Sequence, residues 1–457
     1  MHTATPLTNM WKRRGVLALL LVVWLVPRAW AQAQSQPPVL TLDEAAQMAL
    51  ANSRLVKIAQ LDVRKAVEDA AALKTRRRPN FDVKVLSGSL LGPLKLTFEP
   101  GSIGTFPSTG PIPARQTQVG SNPRLVTLVY ATVAQPLTQL KTIDWGLRAL
   151  STSEELAKEQ VRAQEQTLRN RVQTIYYGLV QATTGLRSSA EARALYEEID
   201  RLVTDYVARQ VVLPAEGLSV KAMLAKQDLT DLTIRNTIAT LKEQLNLVMG
   251  RSVATDFAVA AGPADTAFDV DLAALEARAI EQRPDVRQAK LKAQLAEYDL
   301  KRTRAAARPE ISLAVQYLGF YNVPVLPTST GAFGVFGTWE PWDWGRRKLE
   351  AETKQRTIEQ AQLAVRETED AVRVDVRQRY RKVQEARALL TVTDLGQQTA
   401  RERLRVATDR YRLEASLHRQ LLEAQTALAD ADQQYQQALS AFWSALADFE
   451  KAIGGKE

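Results

Sequence analysis

Two stretches of this chain, residues 147–213 and 346–413, contain no proline and almost no glycine. Each reads as one α-helix on the order of 100 Å long at about 1.5 Å per residue. Nothing in a globular core accommodates such a rod, so the pattern predicts a coiled coil or a helical tube. Each stretch follows the same three residues: Asp144-Trp145-Gly146 in "TIDWGLRAL" and Asp343-Trp344-Gly345 in "EPWDWGRRKL". Each then turns sharply, at "VVLPAEGLS" (211–219) and "YRLEASLHRQ" (411–420), and a second helix returns to Gly250 or Gly454. Pro214 suits a first helical position, and Glu216 suits the positive end of that helix.

The duplication extends upstream. At a constant offset of 230, Leu50 meets Ile280, Val56 meets Val286, Ala59 meets Ala289, Leu61 meets Leu291, Arg78 meets Arg308 and Pro79 meets Pro309. Apolar residues recur at helical spacing in both copies, so each predicts one helix, over about 49–78 and 279–308, stopped by its proline. Past each proline the period changes from 3.6 to 2. Phe81, Val83 and Val85 alternate with Asp82, Lys84 and Leu86, and Ile311, Leu313, Val315, Tyr317, Gly319 and Tyr321 share one face. Return strands follow at 124–136 and 331–341. The connection is short in the second half (324–330) and a Gly/Pro/Ser/Thr-rich loop, about 97–122, in the first. Strands of roughly ten residues with apolar alternation match transmembrane barrel strands. The predicted organisation is a first repeat at 32–250, a linker at 251–271 and a second repeat at 272–457.

Each Asp-Trp-Gly then reads as a joint where a strand becomes a helix. Proline ends the pairing, Asp343 caps the helix start, Trp344 suits a membrane interface and Gly345 permits a tight bend. Asp144, Trp145 and Gly146 take the same roles in the first half. Ten residues separate Pro136 from Gly146 against four between Pro341 and Gly345, so the first joint is expected to be the looser one.

Composition removes whole classes of function. There is no cysteine, and the two histidines are His2 and His418. Thiolate metal sites, histidine clusters and most catalytic triads are therefore unavailable. The reading carries no enzyme, no cofactor and no metal. Residues 1–31 read as an export signal: Lys12, Arg13 and Arg14 precede an apolar run at 16–26, and Ala29-Trp30-Ala31 offers a cleavage site. Without those residues 56 Lys/Arg stand against 51 Asp/Glu, a net charge of +5. The signs alternate along the helical stretches, as on solvated faces, so no nucleic-acid partner is expected.

The whole arrangement resembles the TolC-like outer-membrane efflux proteins. The resemblance is carried by "LTLDEAAQMALANS", the duplicated helix–Pro–strand junction, "QPL" at 135–137, the Asp-Trp-Gly-basic exits and the "RYRLEASLHRQLLEAQ" tip. It implies a mainly α protein with a transmembrane β part: a homotrimer whose barrel takes four strands from each chain, twelve in all, continuous with a long periplasmic α-helical barrel. It implies an outer-membrane exit channel, a passive conduit served by an inner-membrane transporter and a periplasmic adaptor protein, in contact with outer-membrane lipid. Unpaired strand edges cannot face lipid, which independently demands completion by symmetry. Trp339, Tyr317 and Tyr321 suit an interfacial aromatic girdle. At the tip the resemblance carries over Tyr411 as a residue holding the entrance closed, and Glu216 and Glu423 as acidic lining. Here the chain departs from the family, with Gln420 at a second acidic position, Ser416 in place of an arginine and Glu414 in place of a glycine; these changes argue against an ion-pair lock. A lone His418 reads as polar surface. The alternative, a periplasmic coiled-coil adaptor or scaffold, predicts one helical hairpin flanked by soluble β-domains rather than two copies with barrel strands between.

Overall fold

The computed structural model describes residues 38–455 except 90, 93, 122–124, 261–267, 269, 324–326 and 413–417. The export-signal segment, the Gly262-Pro263 centre of the linker, and Glu414 and Ser416 of the tip lie outside the described residues.

A short strand β1 (Val39–Leu40) leads into α1 (Leu42–Asn52) and α2 (Arg54–Thr75). The first hairpin pairs β2 (Asn80–Gly88) with β7 (Val126–Pro136). Between them lie β3 (Leu94–Phe98), β4 (Gly104–Phe106), β5 (Gly110–Ile112) and β6 (Thr117–Ser121). The long helix α3 (Leu140–Ala208) and its return α4 (Pro214–Met249) complete the first half. After β8 (Ala258–Val259), the same series recurs as α5 (Leu272–Gln282), α6 (Pro284–Ala306), β9 (Glu310–Tyr321), β10 (Ser329–Thr338), α7 (Arg346–Arg412) and α8 (His418–Ala452).

The offset of 230 governs more than the sequence comparison suggested. Leu42 and Leu272 open helices, and Asn80 and Glu310 open strands. The helix expected to run unbroken is instead interrupted in both copies, at Ser53 and Arg283. Ser53 ends α1 and caps α2, accepting from the Val56 N–H (3.4 Å). In the second copy Pro284 occupies the first helical position, where its missing N–H costs nothing. The interruptions let the returning helices dock end to end. Asn52 Nδ2 donates to the last-turn carbonyl of Met249 on α4 (3.0 Å), and Arg283 donates to Ala452 O on α8 (3.2 Å). Gly250 follows α4 in the left-handed region (φ 71°), where an added Cβ would sit 2.8 Å from Asn52 Cβ.

Helices and strands share one lateral order. The sheet runs β10-β9-β7-β2, antiparallel throughout. Above the interruptions α2 packs on α3, α3 on α6 and α6 on α7. Every helix therefore continues the strand beside it, and the outermost strands β2 and β10 sit over the outermost helices α2 and α7. Below, α4 packs on α3, α3 on α8 and α8 on α7.

The larger core lies where the helices change partners, around Phe257, Phe442, Leu179, Leu245 and Met249, all fully buried. The inter-repeat segment contributes to it. β8 pairs in parallel with β1, and the Tyr176 hydroxyl joins the two by donating to Leu40 O (3.0 Å) and accepting from the Ala260 N–H (3.1 Å). A smaller core of Tyr196, Ile199, Val203, Val220, Leu421 and Leu422 holds the tip.

The connection expected as a loop at 97–122 is a two-tiered ladder: β3 pairs with β6, and β4 with β5. Its Thr, Val and Phe residues favour the extended backbone, and Gly101, Gly104 and Gly110 adopt positive φ at its bends. Composition rich in Gly and Pro concealed the strands between the turns.

Candidate membrane-spanning sheet and tunnel entrance

Register sorts the sheet into two unlike faces. One cross-strand row reads Phe81, Val133, Val315, Phe333, and the next reads Val83, Ala131, Tyr317, Gly331. The reverse face reads Asp82, Thr132, Gln316, Ala332 toward the helical end and Leu86, Leu128, Phe320 toward the other. The apolar face is bare: Phe81 is 74% exposed, Phe333 73% and Val335 68%. Leaving one such side chain in water forgoes about 1.5–3 kcal/mol of burial, and a contiguous apolar patch of this kind marks a surface made for lipid or protein. Among the described residues no helix is long and apolar enough to cross a membrane. β2 and β10 each leave one edge unpaired in the single chain.

At the helical end of the sheet the two joints differ from each other and from expectation. Asp343-Trp344-Gly345 is non-helical. The Asp343 carboxylate accepts from the N–H groups of Gly345 and Arg347 (both 3.1 Å) and so satisfies the first turn of α7. Trp344 (φ 56°) and Gly345 (φ 85°) make the bend. Asp144-Trp145-Gly146, by contrast, lies inside α3, which begins at Leu140 rather than near 147. The first joint is only residues 137–139, and it is the tighter one. Thr138 Oγ1 donates to Pro309 O and accepts from the Ile311 N–H (both 2.8 Å), tying it to the base of β9. The ten residues counted from Pro136 to Gly146 are mostly helix. Asp144 pairs with Arg77 of the preceding helix end. Trp145 stacks on Tyr298 at 6.0 Å, and Gly146 is buried where an added Cβ would lie 2.8 Å from Leu73 Cδ2 and force that side chain to shift.

The exposed aromatics fall at both ends of the strands. Trp339 (62% exposed), Trp342 (71%) and Trp344 (88%) cluster at the helical end, the last two in an edge-to-face pair at 5.7 Å. Tyr317 and Tyr321 lie on the apolar face toward the other end.

At the far end of the helices, Tyr411 is half-buried against the tip core, which gathers α3, α4, α7 and α8. Burial raises its hydroxyl pKa above the ordinary value, with Tyr206 adding to the shift. Glu216 is half-buried in the first turn of α4. Glu423 is exposed on α8 and forms an ion pair with Arg419 one turn earlier (3.3 Å). Arg419 stands four residues before Glu423, so the pair is legible in the sequence at i, i+4 spacing.

The comparisons with known proteins agree with this geometry. Residues 275–455 match the outer membrane efflux protein family. A membrane protein from Pseudomonas aeruginosa superposes with TM-score 0.73 at 17% identity, covering 92% of each chain. CusC, whose structures concern transmembrane channel formation, gives TM-score 0.74 at 16% identity over 91% of this chain and 92% of its own. The chain has the fold of the TolC-like outer membrane efflux proteins. The Campylobacter jejuni CmeC outer membrane channel shares it, with TM-score 0.71 and 17% identity over 91% of this chain and 85% of that one. Among curated protein sequences none matches. The channel-like relatives belong to a class of conduits rather than enzymes.

Proposed function

We propose that this protein is the outer-membrane exit channel of a tripartite efflux or secretion system, passing solutes from an inner-membrane transporter through a periplasmic helical tube to the exterior. One observation carries the reading: a four-stranded sheet with a bare apolar face and two free edges rises from helices laid in the same lateral order. Lipid covers such a face, but it cannot satisfy a free edge. β2 and β10 run in opposite directions at opposite edges, so a copy of the chain continues the antiparallel alternation without a break. Three copies give a closed twelve-stranded barrel, and the flanking helices α2 and α7 meet in the same step. The apolar stripe of Leu55, Ile58 and Leu61 on α2, and that of Leu363 and Val374 on α7, are exposed in one chain and covered in the trimer. The reverse sheet face, polar around Asp82, Thr132 and Gln316, lines the lumen.

The tip forms the periplasmic entrance, where the adaptor docks. Tyr411 contributes to its closure and Glu216 to a carboxylate ring that concentrates cations. Glu423, already paired with Arg419, adds less than an unpaired carboxylate would.

The test is the full-length chain expressed in a Gram-negative host. A heat-modifiable trimer in the outer-membrane fraction that conducts ions in planar bilayers is the expected result. Recovery in the inner-membrane or soluble fraction would overturn the reading. Glu216→Gln should lower the cation preference of the conductance, with Glu423→Gln producing a smaller change.

A further inference from the structure

Positive charge is concentrated in one place. The segments flanking the helical end of the sheet, 74–78, 137–148, 299–308 and 340–350, hold thirteen Lys/Arg against five Asp/Glu. That excess of eight is larger than the +5 of the chain after its export signal, so the remainder is net acidic. The surplus is unspent. Lys74, Arg76, Arg78, Lys141, Arg304 and Arg308 are all exposed, and none has a carboxylate partner among the described residues. The opposite strand ends contrast with this, their ladder carrying Lys95, Arg115 and Glu99.

Within this collar two cations are held against the same ring. Arg148 Cζ lies 4.8 Å from the centroid of Trp145, and Lys301 Nζ lies 5.2 Å from it and 5.4 Å from the centroid of Tyr298. Trp145 and Tyr298 are half-buried and stacked, and both cations are exposed. Neither cation has a carboxylate partner among the described residues, and two like charges gathered on one aromatic platform suit an anion approaching from outside. The strands that continue these helices carry the apolar sheet face, and the exposed tryptophans stand where the neighbouring β10 gives way to α7, so the anion best matched to the position has acyl chains attached to it.

We propose that this collar binds the phosphodiester headgroups of anionic phospholipid in the periplasmic leaflet of the outer membrane, with Arg148 and Lys301 on the Trp145–Tyr298 platform as one headgroup site. The assignment rests on the outer-membrane reading above. It gives the helical end a fixed depth: tryptophans anchor at the interface, and the cations hold the phosphate layer just below.

The test uses the purified full-length chain in detergent, with phosphatidylglycerol or phosphatidylcholine added. Retained lipid is measured by native mass spectrometry and stability by thermal melting. The wild type should retain phosphatidylglycerol preferentially and melt higher in it, and raising ionic strength should erode both effects. Arg148→Gln with Lys301→Gln should reduce the preference about tenfold or more. The charge-preserving Arg148→Lys with Lys301→Arg, and Lys95→Gln with Arg115→Gln at the opposite strand ends, should keep it. Equal retention of the two lipids, insensitivity to salt, or an unchanged preference in the double glutamine variant would overturn the proposal. Displacement of the lipid by inorganic phosphate would assign the site to free anions instead. Conductance in phosphatidylcholine bilayers reads the channel separately, so loss of lipid preference with conductance intact refutes the collar alone.

Discussion

The two Asp-Trp-Gly copies have the same letters and opposite physics. In the second copy the backbone needs glycine: Gly345 has φ 85° and open space around its Cα. In the first copy the packing needs it: Gly146 is helical, and α2 approaches so closely that Leu73 occupies the place of a Cβ. Asp343 serves its own chain segment by capping α7, whereas Asp144 reaches across to Arg77. Trp344 is the most exposed tryptophan among the described residues and Trp145 is half-buried in a stack. A repeated motif therefore specifies a neighbourhood, the point where strand gives way to helix. Where the helix begins is decided by what ties the strand end. Thr138 locks the first joint to β9, and the helix starts within a few residues. After β10 ends at Thr338 the chain makes a bend of its own before α7.

The comparison can be broken by substitution, and the largest effect is expected where packing is at stake. Gly146→Leu should destabilise the purified chain by roughly 2–3 kcal/mol in thermal or denaturant unfolding, and Leu73→Ala should recover part of the loss. Full stability of Gly146→Leu alone would show that α2 and α3 are not held as close as described. Gly345→Ala meets no atoms, so it should cost only the left-handed backbone, about 1–2 kcal/mol. Gly345→Asn should cost less, since Asn tolerates that conformation. If Gly345→Leu were as harmful as Gly146→Leu, the distinction between backbone and packing roles would fail.

Smaller effects sharpen the contrast. Asp144→Ala removes an exposed ion pair and should change stability by about 0.5 kcal/mol or less. Asp343→Ala should fray the start of α7, seen as faster amide exchange over 346–350, with no matching change around 140–144. The two end-to-end helix junctions extend the comparison to pH. Asn52 bridges the first without charge. The second depends on Arg283 with Asp285 and Asp375, and on Arg379 with Asp375 and Asp448. Burial alone would raise the Asp375 pKa, but hydrogen bonds and charge from Arg283 and Arg379 outweigh it and hold the carboxyl below its ordinary value. A depressed folded pKa contributes stability that is present above the ordinary carboxylate range, about 4, and lost as pH falls through the lower folded value. Acidification should therefore speed amide exchange around 283–287 more than around 53–57, and equal responses would refute the assignment.

Much of this molecule was legible in advance because its regularities are periodic. Long proline-free runs read as rods, a change of period from 3.6 to 2 reads as strand, and a gapless offset of 230 reads as duplication. The breaks at Ser53 and Arg283 were less legible because the apolar stripe continues through them. Only the arrival of the ends of α4 and α8 from elsewhere in the sequence gives the interruption a purpose. The strands inside 94–121 were hidden by composition, since Gly, Pro, Ser and Thr make up 15 of the 28 residues there.

By itself, then, the sequence determined which segments are rods, which are strands, and which strand face is apolar, because those follow from local period and side-chain chemistry. The tertiary structure alone decided the order β10-β9-β7-β2, the matching order of the helices and the opposite uses of two identical glycines. Lateral order and close approach depend on partners distant in sequence, and three letters cannot state who those partners are. "DWG" is such a case: one copy bends a chain, and the other lets two helices touch.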